Sequence, residues 1–300
     1  MRWLENLSAA VAYIEDHLDQ EISVDAAARI ACCSAYYFQR MFTYVAGITL
    51  GEYIRRRRMT QAAFELQRTD EKVLDIALKY GYTSPTAFNR AFQSVHGITP
   101  TAARNGGSVL NAYPPIKLSV KITGGEAMSY HITEKPAMRL VGIRMPITAD
   151  MEESQRTIPE FWENTLESGT FDEIVKLSDQ EPRGILGASV YLNPDEIFYY
   201  IAVATAAEPP EGMYACEIPA SSWVVFENDG HFKENVQSVF RRFYTEWLPF
   251  SGYEYAGLPD MEVYPVMPGK PVNGHSEVWI AVKKREGSFG DGVSDRDKGD

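Results

Sequence analysis

Gln39 and Arg40 follow Ser34 by five and six residues, and Asn89 and Arg90 follow Ser84 by the same spacing. Gln, Asn and Arg carry the paired donors and acceptors that fit base edges in a major groove. Between the two sets stands a run of four guanidiniums, Arg55 to Arg58. Such a run is either a solvated face or a clamp on phosphate oxygens, and reading residues on both sides favour the clamp, at Arg55 and Arg56 among them. The second half of the chain is rich in aromatic rings, including Trp162, Tyr199, Trp223, Tyr264 and Trp279. Ring faces attract cations and line concave ligand sites. Many of these rings must also serve simply as core.

The reading residues need a scaffold, and the chain holds it twice. Ser34 to Thr49 and Ser84 to Thr99 coincide at an offset of fifty in Ser, Phe, Arg, Phe, Val, Gly, Ile and Thr. A fixed period means one structural unit used twice. Each copy reads as a short helix, a tight turn and a second helix, which is the helix-turn-helix pattern. Val24 to Ala31 and Val73 to Tyr80 are the first helices, with Cys32-Cys33 and Gly81 at the turns. Ser34 and Ser84 suit the N-caps of the second helices, Pro85 suits a first helical position, and Gly47 and Gly97 suit the stops. Phe38, Phe42 and Val45, and again Phe88, Phe92 and Val95, form one buried stripe. Tyr36, Tyr37, Gln39 and Arg40 point elsewhere, as do Thr86, Ala87, Asn89 and Arg90. Thr49 and Glu52 form a capping box that opens a connecting helix to about Arg68. At ~30 Å it can hold two reading helices one DNA turn, ~34 Å, apart.

Residues 4–104 resemble the DNA-binding domain of the AraC/XylS family of bacterial regulators. The carrying residues are Gly47, Glu52-Tyr53-Ile54, Arg58, Ile76-Ala77, Gly81-Tyr82, Ser84, Phe88, Arg90, Phe92, Gly97-Ile98-Thr99-Pro100 and Arg104. The resemblance implies that both second helices enter successive major-groove segments of double-stranded DNA. It makes Tyr36, Gln39, Arg40, Thr86, Asn89 and Arg90 the base-facing candidates, and RNA polymerase a partner. Pro85 departs from relatives that contact DNA at this position, because proline has no polar group there.

Behind a linker at 107–127 the pattern changes. Met138 to Ile147 reads as a strand, Pro159 to Leu177 as a helix, and Ile185 to Leu192 and Ile197 to Ala204 as strands turning at Asn193-Pro194-Asp195. Ser222 to Glu227, Lys233 to Leu248, Met261 to Met267 and Glu277 to Lys283 repeat the order. The expected fold is therefore an all-α double helix-turn-helix domain, 1–106, followed by an α+β domain of duplicated βαββ, 128–286. The polar tail at 287–300 reads as disordered. The second domain resembles the GyrI-like effector-binding domain, carried by Trp247-Leu248-Pro249, Ser251-Gly252-Tyr253, Met261-Glu262-Val263-Tyr264 and Val278 to Lys283. The domain order resembles the Rob-type arrangement. That resemblance implies a small, hydrophobic, cationic effector in a pocket holding a buried acid. Glu262 is the acid, and Tyr264, Trp223, Tyr199 and Trp279 are the rings expected beside it. A few such relatives hydrolyse small molecules, so a hydrolase fused to an autoregulatory DNA-binding domain stands as the alternative to a non-enzymatic regulator.

Charge divides with the domains. The net charge is −12. Residues 1–105 hold 12 Lys and Arg against 11 Asp and Glu, a charge of +1, which leaves −13 behind them. Acidity therefore argues against nucleic acid only for the second half. No run approaches the ~20 apolar residues of a membrane span and the first residues are not a leader, so a cytoplasmic protein is expected. Cys32, Cys33 and Cys216 suggest no disulfide framework. The five histidines lack metal-ligand spacing, and no phosphate loop or nucleophile elbow is present, so neither a metal nor a cofactor is expected.

Overall fold

The computed structural model describes residues 2–105, 107–118, 127–148, 151–193, 196–230, 232–267, 270–271 and 274–285. The tail at 287–300, the linker stretch 119–126 and the turn residues Pro194 and Asp195 lie outside the described residues.

Among the described residues, seven helices form the first part: α1 (Arg2–Asp16), α2 (Val24–Ile30), α3 (Ala35–Ala46), α4 (Leu50–Arg68), α5 (Val73–Lys79), α6 (Pro85–His96) and α7 (Pro100–Ala103). The caps fall where side-chain chemistry asks for them. Ser34, Thr49 and Ser84 accept hydrogen bonds from the backbone N–H groups of Tyr37, Glu52 and Ala87. Gly47 and Gly97 close α3 and α6 in the left-handed conformation, with φ of 72° and 76°. Two cores result. Leu7, Ile14, Phe38, Phe42 and Tyr53 pack in the first, and Met59, Leu66, Ile76, Phe88 and Phe92 in the second. The two ends of α4 serve different cores, which is why α4 shows no single apolar stripe.

Part of the expected linker is a strap along this domain. The backbone N–H groups of Tyr113 and Ile116 donate to Thr60 Oγ1 and to the Tyr53 hydroxyl at 3.1 and 3.2 Å. Leu110, Tyr113, Ile116 and Leu118 lean on the two cores.

The second part is built from β1 (Tyr130–Lys135), β2 (Met138–Pro146), α8 (Met151–Glu167), α9 (Thr170–Val175), β3 (Ile185–Asn193), β4 (Glu196–Ala204), β5 (Tyr214–Ile218) and β6 (Ser221–Gly230). There follow α10 (Phe232–Arg242), a π-helical turn (Phe243–Trp247), β7 (Tyr253–Tyr255), β8 (Asp260–Tyr264), β9 (Val266–Met267), β10 (Lys270–Pro271) and β11 (Gly274–Lys284). Three details differ from the sequence reading. Pro159 lies inside α8, which starts upstream and ends before a separate α9. The helix after β6 changes to π geometry at Phe243. Each βαββ unit is preceded by one more strand, β1 or β5.

Those extra strands are exchanged. The main sheet runs β1-β6-β11-β8-β3-β4-β2-β5, so β1 of the first repeat pairs with β6 of the second, and β5 pairs with β2 of the first. The exchange also bends the sheet. β1 reaches β2 through only Pro136-Ala137, and β5 reaches β6 through only Pro219-Ala220. Each link spans at most ~11 Å, whereas six strand spacings in a flat sheet would need ~29 Å. The sheet must therefore curl until its ends meet. Its inner face closes on itself around Leu140, Leu186, Tyr200, Trp223, Met261 and Trp279. Its outer face carries α8, α9 and α10. β3 and β8 meet at the centre, on the pseudo-twofold axis relating the repeats.

Candidate effector site and DNA-reading helices

Strand alternation builds the floor of the site. Asp260, Glu262 and Tyr264 fall at i, i+2 and i+4 on β8 and share its outer face. Their partners on β3 are Ser189, Gly187 and Ile185, and β4 sets Tyr199 opposite Ser189. A Cβ on Gly187 would stand 2.1 Å from the Tyr199 hydroxyl and 3.3 Å from Glu262 Oε2. The missing side chain is what lets those groups meet. Trp162 Nε1 on α8 donates to the Tyr199 oxygen at 3.0 Å, leaving the Tyr199 proton for Glu262. Tyr264 donates to Glu262 Oε2 at 2.8 Å. Burial raises the Glu262 pKa, and Tyr264, Arg40 and Tyr199 pull it back. Two tyrosine donors and a nearby cation thus support the charged form that burial opposes.

The roof comes from the other domain. Tyr36, Arg40 and Tyr44 of α3 line a cavity of about 360 Å³ together with Ile158, Trp162, Tyr199, Glu262 and Tyr264. This volume is in the range of small-molecule sites. α3 sits between α8 and α10. Tyr44 stacks on Phe240 with centroids 5.1 Å apart, and Tyr37 meets Tyr255 edge-on at 4.8 Å. The Tyr37 hydroxyl donates to the Leu258 carbonyl at 2.8 Å. Arg40 is 4% exposed. Its guanidinium carbon lies 4.6 Å from the Phe240 centroid, and Nη1 approaches Asp260 Oδ2 to 3.0 Å. That approach is misaligned, so Nη1 and the Asp260 oxygens meet as charges without a good hydrogen bond. Burial pushes the Asp260 carboxyl up to about 6, against the pull of Arg40. The pair is close, buried and incompletely satisfied.

Glu262, Tyr264 and Tyr199 are brought together here. Trp223 and Trp279, expected beside them, are on the other face of the sheet, 6.1 Å from each other in the inner core. The reason is the period of two. Val278 pairs with Glu262, so Trp279 must face the opposite way. On the DNA side the two copies differ. Thr86 and Arg90 on α6 are exposed and Asn89 is half-buried. Tyr36 and Arg40 on α3 are buried against the second domain, and half-buried Gln39 bonds the Ala35 carbonyl at 3.4 Å. Both Arg55 and Arg56 are held by Glu52. Arg57 is buried on Glu15, and Arg58 donates to the Leu18 and Gln20 carbonyls. The arginine run therefore spends much of its hydrogen bonding inside the domain.

Asp260, Gly187, Tyr44 and Phe240 escaped the sequence reading. Asp260 had a signal, its two-residue spacing from Glu262. The α3 contact also had one. At the offset of fifty, Tyr36-Tyr37 stand where the second copy has Thr86-Ala87, two rings a solvated face does not need.

Residues 131–282, just over half of the chain, match the family model described as integron-associated effector binding protein, and residues 27–106 match a helix-turn-helix domain model. Regulatory protein SoxS of Escherichia coli is 41% identical over 95 residues, 32% of this chain and 89% of that protein. The right origin-binding protein of Escherichia coli is 28% identical over 287 residues, 91% of this chain and 96% of that protein. A solved structure of a protein bound to tetraphenylphosphonium matches with a TM-score of 0.46 and 21% identity, over 52% of this chain and 94% of that one. No described helix is long and apolar enough to cross a membrane. The chain belongs to the integron-associated effector binding protein family by its second domain, joined to an AraC-type helix-turn-helix domain that makes it a DNA-binding transcription regulator.

Proposed function

We propose that this regulator, a cytoplasmic protein, responds to a lipophilic cation bound at Glu262. The observation that carries the reading is a carboxylate held by two tyrosines at the floor of an aromatic cavity. Aromatic faces and a half-desolvated acid together select positive charge on an apolar body. The −13 carried behind residue 105 adds long-range attraction. Residues 1–106 are the DNA-binding unit, 107–127 the connection and 128–286 the sensor. On DNA, Thr86, Asn89 and Arg90 read one major-groove segment, and Tyr36, Gln39 and Arg40 read the next once uncovered. Arg55 and Arg56 lie beside phosphate. RNA polymerase is the partner through which binding becomes regulation. The role is that of a sensor, not of an enzyme.

Tetraphenylphosphonium joins four rings to one delocalised charge and is a suitable probe, with triphenylphosphine oxide as its neutral counterpart. Titration calorimetry on the full chain should show the cation bound more tightly. Glu262→Gln should weaken the cation about tenfold, or ~1.4 kcal/mol, and leave the neutral compound unchanged. Equal binding of the two compounds, or an indifferent Glu262→Gln, overturns charge recognition.

A further inference from the structure

The cavity already contains a cation. The Arg40 guanidinium lies 4.6 Å from the Phe240 ring centroid and 5.7 Å from that of Tyr44, and faces Asp260 at 3.0 Å. Two rings and a carboxylate are the surroundings that a bound organic cation would seek. Arg40 also sits on α3, at the position matching the exposed Arg90 of α6. A side chain inserted between α10 and β8 cannot also reach a base edge.

We propose that Arg40 is the resident cation of the effector site, and that an incoming lipophilic cation takes its place and releases α3 to DNA. The proposal rests on the effector reading above and adds the route by which the site controls the first helix-turn-helix. Three features make the exchange feasible. The Arg40–Asp260 approach lacks good hydrogen-bond geometry, so little directional bonding is lost when it breaks. Arg40 and Glu262 line the same cavity of about 360 Å³, so a second cation near Glu262 meets the buried guanidinium at close range, where like charges repel. The rest of the contact, among it Tyr44 on Phe240, Tyr36 on Tyr191, Tyr37 on Tyr255 and the Tyr37 hydroxyl on the Leu258 carbonyl, is made by residues of α3, so it opens as one body. Effector and DNA then favour the same open state, and each raises affinity for the other by the same factor.

The test uses the full chain, tetraphenylphosphonium, and a duplex selected from a random pool by the wild type in the presence of that cation. Calorimetry should give Arg40→Ala and Arg40→Met at least about fivefold tighter cation binding than wild type, because no resident charge has to leave. Fluorescence anisotropy should show the cation tightening wild-type DNA binding by a similar factor. Without cation, Asp260→Lys, which repels Arg40 from the sensor side, should bind the duplex as well as the cation-loaded wild type does. Phe240→Ala should shift DNA affinity in the same direction. Cation binding by wild type that Arg40→Ala leaves unchanged overturns the exchange while the effector reading stands. Cation binding by no variant overturns both. The wild-type DNA measurement needs no substitution to fold, and DNA affinity indifferent to bound cation overturns the release of α3.

Discussion

Gly187 does its work by leaving space. The Tyr199 hydroxyl occupies the volume a side chain would fill, and from there it reaches Glu262. An alanine at this position meets the oxygen at 2.1 Å, well inside contact distance. Either Tyr199 moves, and Trp162 and Glu262 lose their shared partner, or the strand shifts. Gly187→Ala should therefore cost ~1–3 kcal/mol by overpacking and weaken tetraphenylphosphonium about tenfold or more, near ~1.4 kcal/mol. Tyr199→Phe removes the obstructing oxygen, so the double variant should recover part of the stability without recovering the ligand, a non-additivity that denaturant titration and calorimetry read directly. A Gly187→Ala chain as stable and as avid as wild type would show that the hydroxyl is placed by something else.

At the scale of elements, the second helix-turn-helix is tied together by a histidine. His96 ends α6; its Nε2 contacts the Met59 carbonyl of α4 at 3.0 Å, and its Nδ1 accepts the Asn111 N–H of the strap at 3.3 Å. Donating at one nitrogen and accepting at the other requires the neutral ring, and burial lowers its pKa, partly opposed by the Met59 carbonyl. The unfolded chain takes up this proton near pH ~6.5 and the folded chain only below that. Stability from this group is therefore present above ~6.5 and lost as the pH falls below it. Melting curves between pH 7.5 and 5 should show a decline that His96→Gln reduces; an identical decline in the variant would remove His96 from the account. These elements were legible in the sequence because local chemistry sets them. Ser34, Thr49 and Ser84 cap, Gly47 and Gly97 stop, and the Phe38-Phe42 and Phe88-Phe92 stripes turn inward. β1 and β5 were not legible, since the partner of each lies in the other repeat and short exposed strands carry little periodic signal. Glu262 and Tyr264 were found through a motif, whereas Asp260 needed the strand's alternation to be followed one step further. Trp223 and Trp279 were misplaced because a ring's presence says nothing of which face it takes, and Arg40 was read from its own domain alone.

The whole molecule is asymmetric where its sequence is most repetitive. α3 and α6 share Phe, Arg and Gly positions, yet one is clasped by the sensor and the other faces solvent. On the proposed exchange, the closed chain without effector presents only α6 to a major groove. On the proposed reading, Thr86, Asn89 and Arg90 are then its reading set, with Arg55 and Arg56 close to the backbone. α4, at 19 residues, is ~28 Å long, nearly the ~34 Å of one DNA turn, so α3 and α6 can engage adjacent grooves together only after α3 leaves Phe240 and Asp260. Hydroxyl-radical footprinting on the selected duplex should show one protected groove segment for the chain alone, and a second segment about 10 base pairs away when tetraphenylphosphonium is added. Arg90→Ala should weaken both footprints by ~1–3 kcal/mol, whereas Arg40→Ala should affect only the second. Two protected segments at every cation concentration would mean that the closed arrangement does not limit DNA binding.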